Sequence, residues 1–197
     1  PGSTRPPGPF TEPMTTLLSG LPGPRPILGN APPADVAGAP APTDLAAAVA
    51  AGAFAGLRTV VGDLGPTGTV VTIVASGLRG RGGAGFPAGE KWRAVASAAD
   101  PTRYVVANGY EADPGQATNR LLMESRPYAV VEGAAIAALA VGAREAVIAV
   151  RAEYADAVRA LEAAAFAAEE AGYLGTDVLG SGRVRHRRCR RRWARSW

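Results

Sequence analysis

Cysteine is almost missing: of 197 residues only Cys189 is a thiol, and it lies near the end of the chain. One thiol closes no disulfide framework and ligates no iron–sulfur cluster, so neither can be built from this chain alone. Long hydrophobic runs are missing too. The longest, residues 45–57 and 133–143, are too short to span a bilayer. The opening shows no basic segment followed by an apolar run, so nothing in it reads as a signal peptide. These absences point to a cytoplasmic body without a membrane span.

Acid is missing from the last segment. Residues 183–197 carry eight Arg and neither Asp nor Glu. Their removal leaves 13 basic residues (21 less those eight) against 17 acidic ones, so the formal charge of +4 belongs to the tail and the body is acidic. The tail has no helical apolar face. It reads as the product of a shifted reading frame, with a nucleic-acid-binding arm as the alternative. At the other end, residues 1–43 hold twelve of the 17 Pro and few large apolar side chains. Such a stretch buries too little to offset its ordering entropy and reads as a disordered lead. The remaining span, residues 44–182, is long enough for one domain.

Within that span the patterns alternate. Asp44 is placed to cap a helix that starts at Leu45. Residues 69–74 (T-V-V-T-I-V) are short and mostly β-branched, which predicts a buried strand. Pro87 stands at the first turn of a helix containing Lys91 and Trp92. Residues 104–107 predict a second strand ending at Asn108, and residues 120–124 a helix. Pro127 opens a longer helix that stops at Gly142. Residues 145–150 predict a third strand, and residues 154–171 a final Ala- and Glu-rich helix. Strand and helix in turn predict an α/β fold, Rossmann-like, with a mainly parallel sheet and flanking helices.

Chemistry concentrates in the glycines. Gly80-Arg81-Gly82-Gly83-Ala84-Gly85 fits G-x-G-x-x-G, between the predicted strand at residues 69–74 and the Lys91 helix. Glycine lets backbone N–H groups approach a ligand closely, and a helix start favours an anion. Arg79 and Arg81 could add charged donors; the alternative is a plain Gly-rich turn with solvated arginines.

The whole run S-G-L-R-G-R-G-G-A-G-F-P-A-G-E-K-W, residues 76–92, resembles the flavin-loop signature of the F-type, NADH-binding flavoprotein subunit of respiratory complex I. Diaphorase subunits of NAD-linked hydrogenases and formate dehydrogenases share it. A second run, Y-V-V-A-N-G-Y-E-A-D-P-G at residues 104–115, is similar to that family's N-A-D-E-x-E-P-G. Further matches follow in order, R-L-L-M-E-S-R-P-Y-A-V-V-E-G and A-G-Y-L-G among them. The resemblance covers roughly residues 65–182 and implies an incomplete, N-terminal portion of such a subunit.

The resemblance also implies roles. Gly80, Arg81, Gly82 and Gly83 would line flavin mononucleotide (FMN) and NAD; Lys91 would reach the flavin; Phe86 would stack on the cofactor pair. Asn108 would hydrogen-bond the flavin, Glu111 would stand beside it, and Asp113 would meet the dinucleotide. No side chain is implied as a catalytic acid or base, and no metal ligand is implied. Tyr110 stands where the family usually has Asp, Asn119 replaces another Asp, and Ala94 stands where a second aromatic is common. In the family a hydride passes from NADH to FMN, and single electrons leave to iron–sulfur clusters on partner subunits. A Gly-Glu-Glu segment and a cysteine-rich domain with a 4Fe-4S cluster complete such subunits, and neither follows Gly182 here. The chain is therefore expected to bind flavin weakly or not at all and to be inactive alone. Its complete relatives would sit in the cytoplasm, attached to the membrane's inner face through partners. A non-catalytic interaction module is the rival reading.

Overall fold

A computed structural model describes residues 44–81, 83–113, 115–143 and 145–180. The lead and the Arg-rich tail therefore lie outside the described residues. The first helix, α1 (Leu45–Ala50), begins as its sequence predicts, with Asp44 accepting a hydrogen bond from the Ala46 amide at 2.9 Å. A short α2 (Ala55–Thr59) runs into a π-helical turn (Val60–Leu64) and then α3 (Gly65–Ala75). A glycine-rich loop leads to α4 (Ala88–Ala96). Strand β1 (Tyr104–Asn108) follows, then α5 (Thr118–Ser125), α6 (Pro127–Val141), β2 (Glu145–Ala149) and α7 (Ala155–Glu170).

The sequence placed a strand at residues 69–74, and the structure places a helix there. Tertiary setting overrides a modest β preference. Pro66 starts α3, and the threonines that would decorate a strand turn back on their own helix. Thr69 Oγ1 donates to the Gly65 carbonyl at 2.6 Å, and Thr72 Oγ1 to that of Gly68 at 2.9 Å. The buried Thr69 thus carries no unpaired hydroxyl. Helices α4 to α7 and both remaining strands form where the sequence put them; α1, expected to run towards Phe54, stops at Ala50, and α2 and the π-helical turn were not expected.

The two strands pair in parallel, Tyr104 opposite Glu145 through Asn108 opposite Ala149, and the crossover between them contains α5 and α6. This is an incomplete α/β fold. Helix α6 (P-Y-A-V-V-E-G-A-A-I-A-A-L-A-V) is apolar nearly all round, as a helix buried on several sides must be. Its Ala134, Ala138 and Val141 pack on the sheet with Ala146, Val105, Ile148 and Trp92. Val131, Ala135 and Leu139 join Phe54, Leu57, Leu161 and Ala164 in a second cluster. Alanines keep these layers close. On the opposite face of β1, Tyr104 is 55% and Val106 64% exposed.

Candidate cofactor site

The glycine loop is a closed finger. The Gly80 amide donates to the Phe86 carbonyl and the Ala88 amide to the Leu78 carbonyl, each at 2.8 Å. Arg79 pairs with Pro87 as an antiparallel bridge, and its guanidinium donates across the finger to the Gly85 carbonyl at 3.0 Å. The amides of Arg81, Gly83, Ala84 and Gly85 make no hydrogen bond to another described residue. Because α3 is a helix, the finger joins helix to helix; it is not the strand-to-helix turn of a dinucleotide fold. Of the expected residues, Gly80 has its amide committed, Arg81 and Gly83 are exposed at the tip, and Gly82 lies outside the described residues. Phe86 is 51% exposed, and Lys91 Nζ stands 5.7 Å from its ring centroid, so these two do come together.

What aims the finger is Gly89, to which the sequence motifs assign no role. A Cβ there would fall 2.6 Å from the Val74 Cα, so only glycine lets α4 pass this close to α3. A glycine inside an otherwise helical pattern was the available signal.

The second group forms at the carboxyl end of β1. The Gly109 amide donates to the Ala149 carbonyl at 2.8 Å and continues the strand pairing. Asn108 Oδ1 accepts from the Tyr110 amide at 3.0 Å, closing a local turn. Glu111 is only 5% exposed, and its carboxylate accepts from the amides of Asn119 at 2.7 Å and Arg120 at 3.5 Å. Those are unpaired donors of the first turn of α5, so a distant carboxylate caps a helix whose own Ala117 cannot. Asp113 is exposed. Among the described residues no hydrogen bond or ion pair joins this group to the finger. Trp92 of α4 and Val105 of β1 share one core cluster, and that is the packing link between them.

Sequence reasoning missed Arg151, just past β2. Its Nη1 donates to the Glu111 carbonyl at 2.8 Å, and its guanidinium stands 5.0 Å from the Tyr110 ring centroid and 5.6 Å from that of Tyr154. Its Nε is 3.4 Å from Glu153, whose carboxyl is held below its usual range by its own backbone amide and then by Arg151. Strand carboxyl ends are where open α/β sheets bind ligands, so the position itself was the signal.

These motifs, in this order, have known counterparts. The sequence profile of the Nuo51 FMN-binding domain matches residues 73–193, more than half of the chain. The chain belongs to that family. The F 2 subunit of NADH-quinone oxidoreductase in Rhizobium meliloti (strain 1021) is 44% identical over 133 residues, covering 68% of this chain and 32% of its own length. The NADP-reducing hydrogenase subunit HndC of Solidesulfovibrio fructosivorans is 40% identical over 129 residues, or 66% of this chain and 26% of HndC. Among solved structures, the NAD+-reducing NiFe-hydrogenase in its H2-reduced state is similar with a TM-score of 0.52 and 37% identity, over 56% of this chain and 19% of that one. The chain thus spans a third or less of the length of these Nuo51-domain relatives. No helix among the described residues is long and apolar enough to cross a membrane.

Proposed function

We propose that this chain is the N-terminal portion of the flavin-binding unit of an NADH-oxidising flavoprotein. The observation that carries the reading is the glycine finger, which ends in amides with no partner among the described residues and has Lys91 and Phe86 at its base. Backbone donors, a cation and an exposed ring suit a ligand rich in anionic and ring acceptors, as FMN and NADH both are. The amides of Glu111, Ala112 and Asp113 also make no hydrogen bond to a described residue and add donors of the same kind at the end of β1. When bound, FMN would supply the capacity to take a hydride from NADH and release electrons singly to iron–sulfur clusters. The protein's part is positioning and electrostatics: Lys91 offsets negative charge on the ring system, Phe86 offers a stacking face, and Asp113 meets the dinucleotide. The partners are then NADH and electron-transfer subunits carrying the clusters, on the cytoplasmic side of the membrane.

The chain alone is expected to oxidise no NADH and to bind FMN saturably but weakly, with a Kd of roughly 10 μM or more. Titration of the purified chain, followed by flavin fluorescence, checks this. Submicromolar affinity would overturn the weak-binding expectation; no saturable signal up to millimolar FMN would sink the flavin reading.

A further inference from the structure

The loop at residues 109–113 is tied down on every side that the described residues allow. Its first amide belongs to the β pairing, its second to Asn108, and the Glu111 side chain to α5. The Asp113 carbonyl accepts from the Gln116 amide at 3.3 Å, and the Glu111 carbonyl is held, among the described residues, by Arg151 from the neighbouring strand end. The same guanidinium lies near the face of Tyr110, 5.0 Å from its ring centroid. A planar cation can donate in its plane and stack across it at once, which an ammonium cannot. Tyr154 packs against the same group and also stands 5.5 Å from Arg120, so the aromatic pair holds Arg151 in place.

We propose that Arg151 is a positioning residue for the flavin site: by bonding the Glu111 carbonyl and stacking on Tyr110 it holds the loop at residues 109–113 in the conformation that receives FMN. The proposal rests on the flavin reading above. It assigns Arg151 no contact with the cofactor. Tyr110 supplies a stacking surface to Arg151.

Three variants of the full chain test it: Arg151→Gln, Arg151→Lys and Tyr110→Ala, with Arg159→Gln on the exposed face of α7 as control. Amide hydrogen exchange is measured without ligand, and FMN affinity by titration. Arg151→Gln should speed exchange about tenfold at the Tyr110 and Asn119 amides, which are bonded to and by this loop, while β1 and α6 keep wild-type protection. It should weaken FMN binding roughly fivefold or more, with Arg151→Lys between it and wild type. Tyr110→Ala, which removes the stack but leaves the bond, should move both readouts the same way by less. It also keeps the idea falsifiable should Arg151→Gln fail to fold. Unchanged exchange at the Tyr110 and Asn119 amides in these variants overturns the proposal. So does faster exchange with wild-type FMN affinity, which would leave Arg151 a purely structural tie. If wild type shows no FMN binding while the exchange effect stands, the flavin reading has failed, and the role assigned here falls with it.

Discussion

At position 54 a phenylalanine holds a left-handed backbone, φ 61°, which is costly for a bulky side chain. Its surroundings explain why it persists. The ring is fully buried, stacked on Tyr173 at 4.3 Å and edge-on to Tyr128 at 6.3 Å. Its amide and that of Leu57 donate to the two carboxylate oxygens of Glu132, at 2.8 and 3.0 Å. Glu132 thus caps α2 from α6, as Glu111 caps α5. Replacing Glu132 with Ala strands two partly buried donors and should cost about 1–3 kcal/mol, read from urea unfolding; a loss below about 0.5 kcal/mol would show that water replaces the cap. Neither carboxylate announces this role in the sequence, because the amides it serves lie 8 and 9 residues away for Glu111 and 75 or more for Glu132. That Lys91 and Phe86 lie side by side was legible because they are neighbours in one motif. Arg151 was not, since its partners come from a strand it meets only after folding.

Helices α3 and α4 show where a local pattern misleads. Residues 69–74 carry the composition of a strand, yet no described strand lies beside them to pair with, and the segment packs as a helix against α4 and α6. The caps and stops at Asp44, Pro127 and Gly142 were readable because they act within a few residues of themselves. The packing of α3 on α4 turns on one missing Cβ, so Gly89→Ala should destabilise by about 1–3 kcal/mol through overpacking. Gly133→Ala, in α6 with open space around its added methyl, should instead stabilise by up to about 1 kcal/mol through helix propensity. Thermal melting of both variants checks the pair. Equal shifts of the same sign would show that the close approach at Gly89 is not what sets the cost.

For the molecule as a whole, the two-stranded sheet is the unusual feature. Parallel sheets are normally covered on both faces, and here α6 covers one while Tyr104 and Val106 of the other meet water. The purified chain should therefore self-associate as its concentration rises, and Val106→Lys should reduce that association with little change in melting temperature. Sedimentation at increasing concentration checks this, and equal association in both proteins would place the adhesive surface elsewhere. The sequence announced an α/β arrangement, but it could not announce that the far face of β1 would meet water, because alternation within a strand says which residues share a face and not what that face will meet. The tied-off loops carry a last consequence. The base of the glycine finger and the start of the turn after β1 are each fastened by bonds internal to the protein, so these anchors form without an incoming molecule. An arriving ligand would meet footings already set, its entry timed by diffusion, and weak binding would then show itself as early escape.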